Sequence, residues 1–107
     1  MHPKLQPGEA WFADFGLAEK PRWTLVVGCH ADGRLAVVSV VLITTQYAGT
    51  SYEVTLPRVP WLREQSYINA QSIQPVRLTE LVRKAPGQFQ PSVFAEVKEA
   101  LFRWLAV

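Results

Sequence analysis

Leu35-Ala36-Val37-Val38-Ser39-Val40-Val41-Leu42-Ile43 is the stretch that decides the fold. It is rich in β-branched residues and interrupted only by Ser39. A membrane-spanning helix needs about 20 apolar residues, so this run is too short for one. It also lacks the alternation of a strand with one wet face, so it belongs at the centre of a sheet, covered on both sides. Upstream, residues 24–29 carry Leu25, Val26 and Val27 in a row, and Ala31-Asp32-Gly33 supplies hairpin-turn chemistry between the two strands. Before them come a strand over residues 10–15, with Trp11, Phe12 and Phe15 as its large residues, and a polar loop over 16–21. Residues 1–7 hold two prolines and read as a flexible lead-in.

Downstream, Tyr52, Val54 and Leu56 alternate with Glu53 and Thr55, a half-exposed strand that Pro57 and Pro60 end. Residues 66–70 and 72–76 read as further short strands. Short strands with frequent turns and no helices between them predict a mainly β domain, a small barrel. Two helices are expected late: a short one over 79–84, stopped by Pro86-Gly87, and a full one from 91 or 92 to about 105. In the second, Phe94, Val97, Leu101, Trp104 and Leu105 form one apolar stripe, while Glu96, Glu99 and Arg103 lie opposite, with Glu99 and Arg103 in i, i+4 register. Val93 and Phe102 widen the stripe beyond what a small barrel needs, which points to a homodimer.

The composition agrees with one domain over residues 1–107. The chain has 107 residues, 49% apolar and 19% charged, which leaves no room for a second core and is too apolar for a disordered chain. A single cysteine makes no intramolecular disulfide, and no basic start leads into an apolar stretch. A cytoplasmic protein is the expectation. Eleven Lys and Arg stand against nine Asp and Glu. Seven of the basic residues are arginines, whose planar fork suits phosphate, so a polyanionic partner is permitted.

No glycine-rich phosphate loop, CxxC pair or helically spaced histidine pair is present. His2 and His30 are the only imidazoles, Cys29 reads as a small buried residue, and no metal or cofactor is expected. Three polar segments sit at strand ends: Glu19-Lys20-Pro21-Arg22-Trp23, Thr44-Thr45-Gln46 and Asn69-Ala70-Gln71-Ser72. A rigid scaffold holds such groups as a site requires. Turn chemistry and strand capping use the same residue types.

At these segments the chain resembles the PemK/MazF toxins. Gly8-Glu9-Ala10-Trp11-Phe12-Ala13-Asp14-Phe15 is similar to the family's opening strand, Arg22-Trp23-Thr24-Leu25-Val26-Val27 to its second, and Leu42-Ile43-Thr44-Thr45-Gln46 to its third strand end. Pro57-Arg58-Val59-Pro60-Trp61-Leu62-Arg63 and Asn69-Ala70-Gln71 look like a PemK-like subgroup, and residues 78–105 follow the family's closing helix. Trp23 stands where the family usually has proline, and no arginine follows closely after Gln71.

The resemblance implies an SH3-like barrel plus a terminal helix, assembled as a homodimer. It implies a metal-independent endoribonuclease that cleaves single-stranded mRNA and is neutralised by a cognate antitoxin. By the same resemblance Arg22 and Thr44 are the catalytic residues, while Thr45, Gln46 and Gln71 contact RNA; the neighbouring amide of Asn69 can bond base edges as well. Attack by the RNA's own 2′-OH, giving 2′,3′-cyclic phosphate and 5′-OH ends, needs donors to a charged phosphorane, which a guanidinium and a hydroxyl supply. The competing reading is a non-catalytic SH3-like module that binds RNA or a protein, a degenerate toxin.

Overall fold

The computed structural model describes residues 5–17, 19–29 and 37–106. Within them run β1 Ala10–Ala13, β2 Arg22–Gly28, β3 Val37–Thr44, β4 Glu53–Thr55, β5 Tyr67–Asn69, β6 Gln74–Arg77, β7 Leu81–Lys84 and the helix α1 Pro91–Leu105. Every pairing is antiparallel. The strand order is β4-β5-β3-β2-β1-β7, with β6 added to β3. The expected turn at 31–33, His2, His30, Leu35, Ala36 and Val107 lie outside the described residues.

β3 is the spine, as its composition requires. β2 runs along one of its edges. The other edge is divided: residues 37–40 pair with β6 and residues 43–44 with β5. Ser72 bridges the break between them. Its hydroxyl accepts from the Leu42 N–H at 2.8 Å and donates to the Asn69 carbonyl at 2.7 Å.

The two faces of the β2–β3 ribbon serve separate cores, which is why β3 has no polar face. Leu25, Val41 and Ile43 pack with Val54, Leu56 and Ile68 under Val97, Ala100 and Leu101 of α1. Val26, Val38 and Val40 pack with Trp11, Ala13, Val76 and Leu81 inside the curl of the sheet. Leu5 rests against this second core, and its carbonyl accepts from the Cys29 thiol at 3.5 Å. A buried glutamate locks β1 to β7. Glu9 is 4% exposed, accepts from Trp11 Nε1 at 3.0 Å, and pairs with Lys84 Nζ at 3.1 Å.

Two expectations change. β4 and β7 end the strand order without pairing to each other, so the sheet is curled but open and "barrel" describes it only loosely. Mainly antiparallel β with one C-terminal helix is the architecture. The expected helix over 79–84 is instead a 3-10 turn, Leu78–Glu80, followed by β7. Leu, Arg and Lys favour helix weakly, and six residues are too few to sustain one alone. The open edge of β1 offers them backbone partners: Lys84 pairs opposite Trp11 and Arg83 opposite Phe12. Leu81 then enters the second core.

α1 starts with Pro91 in its first turn, where the ring costs no hydrogen bond. Its stripe is narrower than its sequence suggests. Val97, Ala100 and Leu101 are buried, whereas Trp104 is 41% and Leu105 51% exposed. Arg103 does not serve an i, i+4 pair; its Nη2 donates to the Ser51 carbonyl at 2.7 Å, tying the helix to the loop before β4. Among the described residues no helix is long and apolar enough to cross a membrane.

Candidate active site

Arg22 opens β2 and Thr44 closes β3. In the register of that pair Thr24 stands opposite Leu42, and continuing it by two residues places Arg22 opposite Thr44. Directly opposed residues project to the same side of a sheet. Both line a cleft of about 230 Å³ at this end of the ribbon, together with Thr45.

The electrostatics of the two side chains suit an anion. Arg22 pairs with Glu19 at 3.6 Å across a solvated contact, and its Nε is buried with no hydrogen-bond partner. A buried donor without an acceptor calls for an explanation. An oxyanion bound in the cleft would be one acceptor for it. Thr44 Oγ1 accepts from the Gln46 N–H at 3.0 Å. That bond occupies a lone pair and fixes the hydroxyl's position, leaving its proton to donate outward.

The other wall is the loop over residues 57–66, from which Trp61, Arg63, Glu64 and Ser66 reach the cleft lining. Trp61 tilts against Trp23 at 4.7 Å between ring centroids and against Phe89 at 5.5 Å. Trp23 also meets Phe12 edge-on at 5.3 Å, and the Arg83 guanidinium lies 5.4 Å from its ring. Trp23 is thus the centre of an aromatic chain that supports the cleft floor.

The remaining sequence candidates lie elsewhere. Gln46 is exposed and outside the cleft lining. Its loop is braced by Glu53, which accepts from the Ala48 and Thr50 N–H groups at 2.7 Å each. The Ala48 bond, then that from Thr50, holds the Glu53 carboxyl below the usual carboxylate range. Asn69 and Gln71 bind each other: Asn69 Oδ1 accepts from the Gln71 N–H at 3.0 Å, and its Nδ2 donates to Gln71 Oε1 at 3.3 Å. Asn69 caps the 3-10 turn Ala70–Ser72 that contains Gln71, and neither lines the cleft. Burial, then the nearby Glu9, pushes the Cys29 thiol up, which makes it a poor nucleophile. Among the described residues no three His, Cys, Asp or Glu side chains gather as a metal site. Sequence reasoning missed Arg63 and Glu64. Only the proline-bounded length of their loop signalled a functional segment.

An open, curled antiparallel sheet with one C-terminal helix is a MazF-like fold. The family model for PemK-like, MazF-like toxins of type II toxin–antitoxin systems matches residues 6–105, and the chain belongs to that family. Solved structures agree in fold. An endoribonuclease from a mycobacterial species, in complex with its cognate antitoxin, superposes with a TM-score of 0.80 at 23% identity, covering 96% of each chain. Toxin MazF-mt6 of Mycobacterium tuberculosis gives 0.79 at 23% identity, over 92% of this chain and 97% of that one. MazF of Deinococcus radiodurans gives 0.76 at 21% identity, over 96% and 97%. Among curated proteins no sequence matches.

Proposed function

We propose that this protein is an endoribonuclease toxin of the cytoplasm that cuts single-stranded mRNA without a metal and is neutralised by a cognate antitoxin. The observation that carries the reading is the convergence of Arg22 and Thr44 in one cleft, with Arg22 Nε unpartnered.

The chemistry follows from these two groups. The substrate's 2′-oxygen bonds to the adjacent phosphorus, its proton passing to water. The P–O5′ bond breaks, and the 5′-oxygen takes a proton from water. One strand leaves with a 2′,3′-cyclic phosphate, the other with a 5′-OH. Arg22 donates to the phosphorane oxygens as negative charge accumulates there, and Thr44 adds a further bond that fixes the phosphate. The role of Arg22 is to stabilise charge through its fixed fork of N–H donors. Thr45, with Gln46, Asn69 and Gln71 on the flanking turns, contacts the bases on either side. Gln71 and Asn69 serve once RNA replaces their mutual bonds. A disordered acidic segment of the antitoxin covers the Arg22 cleft, and such binding weakens with salt.

Incubation of the purified protein with single-stranded RNA in EDTA tests this. Fragments ending in 2′,3′-cyclic phosphate are expected. Intact RNA that is nonetheless bound supports the non-catalytic module instead.

A further inference from the structure

The cleft holds a second guanidinium that the proposed chemistry does not use. Arg63 is exposed, lines the cleft with Arg22 and Thr44, and its side chain makes no hydrogen bond or ion pair among the described residues. The chain's other described arginines are engaged or lie away from the cleft. Arg58 donates to the Arg63 carbonyl at 3.2 Å, Arg83 sits over Phe12 and Trp23, Arg103 holds Ser51, and Arg77 lines a different, apolar cavity with Val37 and Leu78.

The backbone beneath Arg63 is held firmly for a loop. Besides the Arg58 bond, Leu62 is buried and its N–H donates to the Val59 carbonyl at 3.1 Å. Gln65 Nε2 donates to the Leu56 carbonyl at 2.7 Å, and the Ser66 hydroxyl to the Glu64 carbonyl at 3.0 Å. A braced backbone carrying an uncommitted cation is a preorganised contact, because less entropy is lost when it binds. Glu64 is the carboxylate of the same lining and Glu19 pairs with Arg22, which leaves Arg63 as the guanidinium of the lining without an ion-pair partner among the described residues.

Resting on the endoribonuclease reading, we infer that Arg63 is a strand-positioning residue that takes a phosphate next to the scissile one. The cleft then grips two phosphates of one single strand. Arg22 and Thr44 hold the reacting group on the β2–β3 wall, and Arg63 holds its neighbour on the loop wall. A phosphate contact carries no base information, so Arg63 strengthens binding to every sequence alike.

The test is binding of a fluorescein-labelled pool of 2′-fluoro RNA 8-mers, which have no 2′-OH to attack, read by anisotropy from 50 to 300 mM NaCl. Each phosphate neutralised on a single strand contributes about −0.7 to the slope of log K against log salt. Arg63→Ala is expected to flatten the parental slope by about 0.7 and to weaken low-salt binding several-fold. Arg63→Lys keeps the slope, and Arg77→Ala, away from the cleft, leaves it at the parental value. Arg63 is exposed, so its truncation opens no cavity, and unchanged thermal melts confirm the fold. A parental slope in Arg63→Ala, or an equal loss in Arg77→Ala, overturns the assignment. Parental protein that cuts RNA while Arg63→Ala keeps its slope removes Arg63 alone; parental protein that neither binds nor cuts RNA removes the endoribonuclease reading and Arg63 with it.

Discussion

Arg22 and Thr44 sit at strand ends, where truncation removes donors without opening the core. Arg22→Ala is therefore expected to lower the cleavage rate by about 10²–10³-fold, the usual effect of losing one preorganised donor, with an unchanged melt. Arg22→Lys is impaired too, because a point charge cannot reproduce the two-pronged fork. Thr44→Ser retains the donor and most of the rate, whereas Thr44→Val retains the shape and loses it. Gel-resolved initial rates on single-stranded RNA check all four, and a Thr44→Val enzyme as fast as the parent removes the hydroxyl from the chemistry. Glu9 gives a second, independent prediction. Burial raises its carboxyl, but the bonds from Trp11, Lys84 and the Gln6 backbone outweigh this and hold it below the ordinary value of 4.5. The unfolded chain thus takes up this proton first as pH falls. Glu9 adds stability above pH 4.5, and that stability is lost as pH drops through the lower folded value. Urea titrations between pH 3 and 6 should show a smaller loss of stability on acidification in Glu9→Gln than in the parent.

Between elements, the division of β3 into two partners hangs on one hydroxyl. Ser72 occupies the gap between β5 and β6, where the Leu42 N–H has no strand to pair with. Removing the hydroxyl leaves a part-buried N–H unsatisfied, at about 1–3 kcal/mol. Ser72→Ala should lower the urea midpoint accordingly with an unchanged m-value, and an unchanged midpoint would mean that water replaces the hydroxyl. Elements also differ in how far they could be read in advance. The run ending at Ile43 announced a strand buried on both faces because it is almost wholly apolar, and Val38 and residues 40–43 are buried while Val37 at the start of β3 is exposed. β7 was illegible because Leu81-Val82-Arg83-Lys84 has no strong preference of its own and becomes a strand only against the edge of β1. Arg22, Thr44 and Thr45 were legible as polar groups ending apolar strands. The loop wall with Trp61 and Arg63 was not, since a loop lands beside a cleft through hydrogen bonds such as those of Gln65 and Arg58, which leave no periodic trace in sequence.

For the whole molecule, α1 carries apolar surface that the sheet does not cover. Phe102 is 53% and Leu105 51% exposed, and three residues apart on a helix they share a face. Trp104 is turned away from them and packs edge-on against Tyr52 at 5.3 Å, while Val93 is half-buried against the core. The surplus apolar surface is therefore narrower than the sequence pattern suggested. It is centred on the last turns of the helix. Such surface on a small domain is commonly an interface, and a second copy of the chain is the partner that symmetric assembly favours. A two-fold contact would set Phe102 and Leu105 of one protomer near the same residues of its partner, burying both pairs at once. A charge at Phe102 would then be buried twice over, so Phe102→Glu should dissociate the dimer without unfolding the protomer, whose own core uses Val97, Ala100 and Leu101. Sedimentation equilibrium at micromolar concentration is expected to give twice the protomer mass for the parent and one protomer mass for Phe102→Glu. A parental monomer would show that this face is left to solvent or to the antitoxin. A dimer that survives Phe102→Glu would move the interface elsewhere on the sheet, with the exposed Val82 of β7 the next residue to substitute.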